Sequence, residues 1–418
     1  IKALHQDLHK PEFESFTSEI GLLYAEIDDA LKHLKKWMKP KRVATPIIHF
    51  PTSSRIYPEP LGVVLIIGPW NYPFQLLMAP LVAAISAGNC AVLKPSEETP
   101  ATSTLIRKMI EENFESHFLS VIEGMGAEVV PEAVKAFRFD HIFFTGSVPV
   151  GKKIYEMAAQ QLIPVTLELG GKSPVIVDST ADLKVSARRV AWSKFFNAGQ
   201  TCVSPDYLIV DATVKDQFIA LFKNAVHEFY GDDPRQSQDY ARIINPKRMK
   251  VLKQYLDEGE IMMGGNYVDD ELYFAPTLLH KVNFDHKVMQ EEIFGPVLPV
   301  LTFKNKEEIN AIIARNPYPL SLYLYSKDKK MEQKIINEIQ FGGGAINNGL
   351  IHLSNAELPF GGVGYSGIGS YHGKSGFMAF SHQKSMSKTR FYFDNPIKYP
   401  AYKTWKMKIA RKFFKATP

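Results

Sequence analysis

Cys202 is the residue whose type and setting most clearly suggest chemistry. It ends the segment FNAGQTC, in which Gly199 lets the backbone turn tightly and present the thiol. A thiol where a loop meets a helix gains acidity from the helix N-terminus, and a modest fall in its pKa produces a strong nucleophile. The alternative for a single cysteine is a small core residue. Cys90, which opens the apolar segment CAVL, fits that structural alternative.

Two polar residues could assist such a nucleophile. Glu168 ends an apolar segment before a glycine pair, where partial desolvation would raise the carboxyl pKa toward useful base strength. Asn71 lies in GPWNYP between Trp70 and Tyr72, and the flanking prolines would hold its amide rigidly as a donor to an oxyanion. Taken alone, a glutamate at a turn and an asparagine in such a loop are also explained by turn chemistry. Their combination with Cys202 favours catalysis.

Two further segments suit a nucleotide. FTGSVPVG places Gly146 and Gly151 around Ser147, where a strand ends and a helix begins, and the free N–H groups of a helix start suit a pyrophosphate. The segment departs from the GxGxxG pattern, so by itself it is weak evidence. KPSE follows the second strand of the same unit, and from there Lys94 and Glu97 would reach the hydroxyls of an adenosine ribose.

From residue 61 onward, short β-branched segments alternate with longer helical stretches. The first unit has five strand candidates, in GVVLIIGPWN, CAVLKPSE, LSVIEG, HIFFTG and PVTLELGG. This alternation predicts a parallel sheet with crossover helices, the arrangement of a dinucleotide-binding domain. A second unit begins near Lys172, with strand candidates SPVIVD, YLIVDA, 298–303 and SLYLYS. We therefore expect an α/β fold of two Rossmann-like parallel-sheet domains that face each other across a cleft.

Two segments outside these units read as extended. Residues 43–60 carry four prolines, which excludes a helix, and residues 376–393 read in the same way. Because extended segments without a nearby partner commonly add strands to another subunit, we expect a homodimer. The expected domains are a dinucleotide-binding domain (1–42 and 61–168), a catalytic domain (169–375), a small β oligomerisation arm (43–60 and 376–395) and a basic C-terminal tail (396–418).

The formal charge of +5 is concentrated in that tail. Seven basic residues and no acidic ones follow Asp394: Lys398, Lys403, Lys406, Lys408, Arg411, Lys412 and Lys415. The rest of the chain has no basic excess, so we expect no nucleic-acid partner. Trp405, Ile409 and Phe413 recur every four residues among these charges, which favours weak contact with an anionic membrane surface. A tail packed on a partner subunit or simply solvated is the alternative.

The remaining composition indicates the compartment. Two cysteines are too few for a disulfide framework, which fits a reducing environment. No apolar run approaches the roughly 18 to 20 residues that cross a bilayer, so we expect a cytoplasmic protein that is at most peripheral at a membrane. The histidines are scattered and show no ligand spacing, so we predict no metal site.

Together the motifs resemble those of the aldehyde dehydrogenase superfamily. GPWNYP, KPSE, FTGS, LELGGKSP, GQTC, EEIFGP and LPFGGVGYSG occur in that family's order, and the similarity covers nearly the whole chain. The short N-terminal part and the ending GVGYSGIGSYHGKSGFMAFSHQKS look most like the class 3 branch. That resemblance implies NAD(P)-dependent oxidation of medium or long aliphatic aldehydes, or of aromatic ones, to carboxylic acids.

The resemblance also implies roles for individual residues. Cys202 would be the nucleophile and Glu168 the general base, and Asn71 with the Cys202 backbone N–H would form the oxyanion hole. Glu292 would hold the nicotinamide ribose and Phe294 would pack on the nicotinamide ring. The implied cofactor is NAD, with NADP as the alternative, and Glu97 favours an unphosphorylated ribose. The full set of expected cofactor contacts is Trp70, Lys94, Glu97, Thr145, Gly146, Ser147, Gly151, Leu169, Glu292 and Phe294.

The implied mechanism passes through a cysteine thiohemiacetal and a thioester. The thiolate attacks the aldehyde, Asn71 holds the oxyanion, a hydride passes to the nicotinamide, and water deprotonated by Glu168 hydrolyses the thioester. One alternative is a CoA-acylating dehydrogenase or a reductase, relatives that typically lack the glutamate of LELGG. Another is a non-catalytic binding protein, which loss of Cys202, Asn71 or Glu168 would mark. All three residues are present.

Overall fold

The structure of the protein, a computed structural model, describes residues 1–415. Within them the α-helices are α1 (Lys2–Leu8), α2 (Glu12–Ser15), α3 (Gly21–Trp37), α4 (Gln75–Ser86), α5 (Pro100–Asn113), α6 (Gly126–Ala136), α7 (Val148–Gln160), α8 (Leu183–Phe195), α9 (Lys215–Tyr230), α10 (Pro246–Leu256), α11 (Lys287–Gln290), α12 (Lys306–Ala314), α13 (Lys329–Glu338), α14 (Gly373–Ala379) and α15 (Thr404–Phe413). A π-helical turn, Phe16–Ile20, joins α2 to α3.

The strands of the same residues are β1 (Lys41–Val43), β2 (Thr52–Pro60), β3 (Val63–Ile67), β4 (Cys90–Lys94), β5 (Leu119–Val121), β6 (His141–Thr145), β7 (Val165–Glu168), β8 (Pro174–Val177), β9 (Tyr207–Asp211), β10 (Glu260–Met263), β11 (Tyr267–Val268), β12 (Tyr273–Phe274), β13 (Thr277–His280), β14 (Val297–Phe303), β15 (Ser321–Tyr325), β16 (Gly343–Ile346), β17 (Gly367–Ile368) and β18 (Ser381–Thr389). Short 3-10 turns include Ile47–His49 and Phe196–Gly199.

The first sheet contains the five predicted strands in the order β7-β6-β3-β4-β5, all parallel. Its strands are apolar and largely buried because helices cover both faces. The strand order reverses between β3 and β6, so the loops after these two strands border the crevice in which ligands of such sheets bind. A sixth strand that the sequence did not predict, β17, pairs antiparallel with β7 and places Gly367 opposite Glu168.

The second sheet has the order β10-β13-β14-β9-β8-β15-β16, with β10 antiparallel to the rest. The four predicted strands of this unit are present as β8, β9, β14 and β15, and all of them are parallel. One large apolar cluster includes core residues from both sheets, among them Ile66, Phe143, Val175 and Leu208. Because the two sheets share this core, the elements that carry the site are packed on one another. The prediction of two Rossmann-like parallel-sheet units is confirmed.

The extended segments form a third sheet within the chain, in the order β1-β2-β18. All nine residues of β18 pair with β2, from Ser381 opposite Pro60 to Thr389 opposite Thr52. The expectation that these segments lack a nearby partner is therefore wrong, because each is the other's partner. The extended interpretation is also wrong for residues 376–379, which belong to α14. Among the helices of residues 1–415, none is long and apolar enough to cross a membrane.

Candidate active site

Cys202 lies in a turn between the 3-10 segment Phe196–Gly199 and β9. The backbone reverses just before it, because Asn197, Ala198 and Gly199 all have left-handed φ values of 52°, 51° and 74°. Gly199 is needed there, since a Cβ would lie 2.4 Å from the carbonyl oxygen of Gly295. No helix begins after Cys202 in this part of the structure, so the prediction of a thiol at a helix N-terminus is wrong.

The pKa of the Cys202 thiol also differs from the prediction. Burial raises the pKa of Cys202 well above its ordinary range, and the carboxylates of Glu292 and Glu168 raise it further. The backbone N–H groups of Cys202 and Val203 oppose this shift only in part. The expectation of an acidified thiol is therefore wrong, because its surroundings in the folded chain raise the pKa of Cys202 instead of lowering it.

Glu168 is the last residue of β7 and lies between β6 and β17. It is opposite Thr145 on one side and Gly367 on the other. Both of its carboxylate oxygens are buried and have no hydrogen-bond partner. Burial raises the pKa of Glu168 well above its ordinary value, as expected for a desolvated carboxyl at a strand end. A carboxyl in this condition is suited to proton transfer with water or with a nearby reactant.

Asn71 is in the loop after β3, and its side chain is only 2 % exposed. Its Nδ2 donates a hydrogen bond to the carbonyl oxygen of Gln200 at 3.0 Å, which leaves one amide hydrogen for a second acceptor. The neighbouring Tyr72 hydroxyl is 2.6 Å from the Thr201 hydroxyl. Both hydrogen bonds join the Asn71 loop to the Cys202 loop.

A cavity of about 160 Å³ lies beyond the end of β4, lined in part by Pro95, Ser96 and Glu97. Glu97 accepts a hydrogen bond from Lys94 Nζ at 2.8 Å and another from the Gly126 backbone N–H at 2.9 Å. Although burial opposes it, these two donors hold the pKa of Glu97 below its ordinary value. Glu97 is therefore an ionised acceptor at the rim of the cavity, and the buried Lys94 orients it. This arrangement fits a ribose with free hydroxyls.

Thr145, Gly146 and Ser147 form the turn from β6 into α7. The Thr145 hydroxyl is buried and has no hydrogen-bond partner, and the first turn of α7 leaves free N–H groups beside it. Both features fit a phosphate-bearing cofactor. Gly151 lies one turn further on, where a Cβ would be 2.5 Å from Leu169. The absence of a side chain at Gly151 therefore lets α7 pack closely against Leu169, which follows β7, and this packing supports the turn.

Glu292 lies against the glycine pair that follows Glu168 in the chain. A Cβ on Gly170 would be 2.0 Å from Glu292 Oε2, so only glycine leaves room for this carboxylate. Burial raises the pKa of Glu292 to about 8, and Asp206 adds to the shift, whereas Arg248 and the Gly171 N–H oppose it. One carboxylate oxygen of Glu292 has no partner. It is available to a hydroxyl group of a bound ligand.

The aromatic rings of Trp70 and Phe294 meet edge to face, with centroids 5.2 Å apart. Phe294 has a left-handed φ of 46°, which is uncommon for a residue with a Cβ and is found mostly where function or packing over-determines the backbone. The structure therefore brings two expected cofactor contacts from distant parts of the chain into one wall of the site.

Sequence reasoning missed several buried groups beside the site. Lys194 is fully buried, its Nζ has no hydrogen-bond partner, and burial lowers its pKa to about 8. Its helical spacing from the core residues Val190 and Ala187 is the signal that could have revealed it. Lys10 is also fully buried, but in the sequence it reads as an ordinary surface lysine.

One group of metal-ligating type occurs among the described residues. Asp29, His33 and Glu357 bring their ligand atoms within 4.8 Å of one another, and all three residues are partly or fully exposed. His33 Nδ1 is hydrogen-bonded to Asp29 Oδ1 at 2.8 Å, which accounts for that pair without an ion.

Comparisons with known proteins identify the family. The family model described as the aldehyde dehydrogenase family matches residues 2–386. A 4,4′-diaponeurosporen-aldehyde dehydrogenase of Staphylococcus aureus is 49 % identical over 417 residues, covering 99 % of this chain and 90 % of the relative. Family 3 member H1 of Arabidopsis thaliana is 44 % identical (98 % and 86 % covered). A dimeric NADP-preferring aldehyde dehydrogenase of Rattus norvegicus is 43 % identical (92 % and 84 % covered).

Solved structures are similar over the same range. The substrate-bound Staphylococcus aureus AldH superposes with a TM-score of 0.96 at 49 % identity, covering 99 % of this chain and 90 % of that one. An indole-3-acetaldehyde dehydrogenase in complex with NAD⁺ has a TM-score of 0.84 at 29 % identity, with 93 % and 79 % covered. The chain therefore belongs to the aldehyde dehydrogenase family, whose members oxidise aldehydes with NAD or NADP.

Proposed function

We propose that Cys202 attacks the carbonyl carbon of an aldehyde and that Asn71 Nδ2 and the Cys202 backbone N–H hold the resulting oxyanion. The observation that supports this most directly is the set of hydrogen bonds between the two loops, which includes Asn71 to Gln200 and Tyr72 to Thr201. They hold an amide donor with one free hydrogen beside the nucleophile's loop, as an oxyanion hole requires.

Glu168 is the proposed base of the second half-reaction. The Cys202 thiol loses its proton to water as Sγ bonds to the substrate carbon, and loss of a hydride converts the thiohemiacetal into a thioester. Glu168 then takes a proton from a second water molecule, and the oxygen of that water bonds to the carbonyl carbon. The C–S bond breaks to release the carboxylic acid, and Glu168 returns its proton to the sulfur, which restores the thiol. The raised pKa of the Glu168 carboxyl supports this role, because it makes the carboxylate a stronger proton acceptor.

The proposed cofactor contacts are the residues implied by the resemblance to aldehyde dehydrogenases: Trp70, Lys94, Glu97, Thr145, Gly146, Ser147, Gly151, Leu169, Glu292 and Phe294. When bound, NAD or NADP accepts the hydride from the substrate carbon. Glu97 supports a preference for NAD, since its ionised carboxylate would repel a 2′-phosphate. Glu292 and Phe294 form the end of the site that would orient the nicotinamide.

The proposed substrates are medium or long aliphatic aldehydes and aromatic aldehydes. The class 3 resemblance supports this, as does the relative named for 4,4′-diaponeurosporen-aldehyde. If the chain of the substrate is buried in an apolar channel, kcat/KM should rise about threefold to fourfold per added methylene until the channel is filled. A panel of straight-chain aldehydes measures this, and a flat series would contradict the assignment.

Rapid mixing tests the mechanism. Wild type should form NADH continuously, Cys202→Ala should form none, and Glu168→Gln should give one burst of NADH followed by slow turnover. Cys90→Ala is the matched control and should behave as wild type. Activity in Cys202→Ala, or a requirement for CoA in wild type, would overturn the mechanism.

We further propose that the protein is a cytoplasmic homodimer, with 1–42 and 61–168 as dinucleotide-binding domain, 169–375 as catalytic domain and 43–60 with 376–395 as the dimerisation arm. The exposed β18 edge and the relative named as dimeric support this, and light scattering measures it.

Helix α15 exposes Trp405, Ile409 and Phe413 among basic residues, which supports weak binding of anionic membranes by the tail 396–418. Equal sedimentation with anionic vesicles of the full chain and a variant lacking the tail would refute that part.

A further inference from the structure

The segment 9–20, here called the N-terminal hook, runs beside the Asn71 loop. Within it Lys10 is fully buried, a costly state for an ammonium group unless each donor is satisfied. Its Nζ forms an ion pair with Glu19, donates a hydrogen bond to the Asn71 carbonyl oxygen at 3.0 Å, and lies 4.0 Å from the centroid of the Tyr72 ring. Every favourable contact of this ammonium is thus with the hook or with the Asn71 loop.

Glu19 extends the contact to the other end of that loop. Its second oxygen accepts hydrogen bonds from the backbone N–H groups of Phe74 and Gln75, at 3.0 and 3.1 Å, where α4 begins. A carboxylate at a helix N-terminus is favourable, because it meets unsatisfied N–H groups and the positive end of the helix dipole. The Lys10–Glu19 pair therefore holds the loop at two points, through Lys10 at Asn71 and through Glu19 at Phe74.

The same hook holds the nucleophile's loop. Glu14 accepts a hydrogen bond from the backbone N–H of Asn197 at 3.0 Å, in the left-handed turn before Cys202. The Asn197 side chain in turn donates to the Asn71 carbonyl oxygen at 3.0 Å. The Asn71 carbonyl is thus the point at which Lys10 and the Cys202 loop meet.

We propose that Lys10 is a positioning residue for the oxyanion hole: by holding the Asn71 carbonyl, its ammonium fixes the direction in which the Asn71 side-chain amide points at the oxyanion on the substrate carbon bonded to Cys202 Sγ. The backbone carbonyl and the side chain of a residue share one Cα, so a rotation of the peptide moves the amide. A misplacement of about 1 Å can cost a reaction about a hundredfold. This inference rests on the role proposed above for Asn71.

A double-mutant cycle separates positioning from mere stability. The rate measured is acylation of Cys202 by 4-nitrophenyl acetate without cofactor, per titrated active site, in Lys10→Met, Asn71→Ala and the double variant. We expect a loss of about tenfold for Lys10→Met and of about a hundredfold or more for Asn71→Ala. The double variant should match Asn71→Ala within about twofold, because Lys10 acts through Asn71.

Asp7→Asn is the matched control. Asp7 ties the same N-terminal part of the chain to the start of α5, accepting hydrogen bonds from Ala101 and Thr102, and does not contact Asn71. It should lower the Tm without slowing acylation per active site. If Lys10→Met does not fold, Lys10→Met with Glu19→Gln removes the unpaired carboxylate and keeps an acceptor for α4.

The possible failures are distinguishable. If Asn71→Ala acylates at the wild-type rate, the proposed oxyanion hole is wrong. If Asn71→Ala is slow and Lys10→Met is not, or if the two losses multiply in the double variant, the oxyanion hole stands and the positioning role of Lys10 is refuted.

Discussion

Replacement of Gly170 by alanine would place a methyl carbon where the Glu292 carboxylate lies. The added Cβ would be 2.0 Å from Oε2, 2.5 Å from Cδ and 2.6 Å from Oε1 of Glu292. Because non-bonded carbon and oxygen atoms do not approach so closely, the carboxylate must move by more than about 1 Å. It then moves away from the Gly171 N–H, which favours the charged form of Glu292. The backbone φ of Gly170 is not left-handed, so the substitution acts through this contact.

The expected loss follows from the hydrogen bonds involved. A hydrogen bond to a charged group contributes about 1.5 to 3 kcal/mol, and Glu292, with a pKa of about 8, is charged when the kinetics are measured above that pH. If Glu292 binds the nicotinamide ribose, its displacement should raise the KM for NAD about tenfold to a hundredfold, at about 1.4 kcal/mol per tenfold. Acylation by 4-nitrophenyl acetate without cofactor should not fall, because Cys202 and Asn71 are untouched.

Steady-state kinetics with varied NAD at saturating aldehyde measures the effect. The matched control is Gly170→Ala combined with Glu292→Ala, in which the methyl group meets no carboxylate and should add nothing to the effect of Glu292→Ala alone. A wild-type KM for NAD in Gly170→Ala, or a further loss in the double variant, would refute the reasoning.

Three other predictions concern the thiol, the loop contact and pH. In a Cys90→Ser background, alkylation of Cys202 by iodoacetamide should keep accelerating up to about pH 9, because burial raises the thiol pKa; a plateau below about pH 8 would contradict this. Tyr72→Phe and Thr201→Val should each slow acylation about threefold to tenfold. The double variant should be no slower than either single variant, because all three lose the same hydrogen bond. Losses that multiply in the double variant would contradict this shared bond. Burial lowers the pKa of His141 from 6.5 to about 4, so the unfolded chain binds more protons in that interval and stability falls as pH falls through it. Relative to His141→Phe, wild type should lose about 2 kcal/mol of unfolding free energy between about pH 7.5 and pH 5, measured by urea denaturation, and equal losses would exclude His141 as the cause.

Much of the fold was predictable because buried parallel strands are continuous apolar segments. Strands β3, β4, β6 and β9 have this character and were found. Strand β16 was missed because GGAI has a single β-branched residue after two glycines and an alanine, which are poor strand formers, and β17 because two residues carry no periodicity. The pairing of β2 with β18 joins segments more than 300 residues apart, and no local pattern reports such a partner.

The site residues and the raised pKa of Glu168 were predicted from the sequence, but the raised pKa of Cys202 was not. The pKa of Cys202 depends on burial and on carboxylates at positions 168 and 292, which only the folded chain brings near it. Lys10 was missed for the same reason. Its burial comes from contact with a residue 61 positions away, and a lysine in a polar segment gives no sign of that.

Mass spectrometry of the trapped intermediate shows directly whether Cys202 carries the acyl group. Glu168→Gln is mixed with NAD and a saturating aldehyde, quenched within one turnover and digested. We expect that the peptide containing Cys202, and not the one containing Cys90, gains the mass of one acyl group in proportion to the NADH formed. A burst of NADH with an unmodified Cys202, or with the acyl group on another residue, would contradict it.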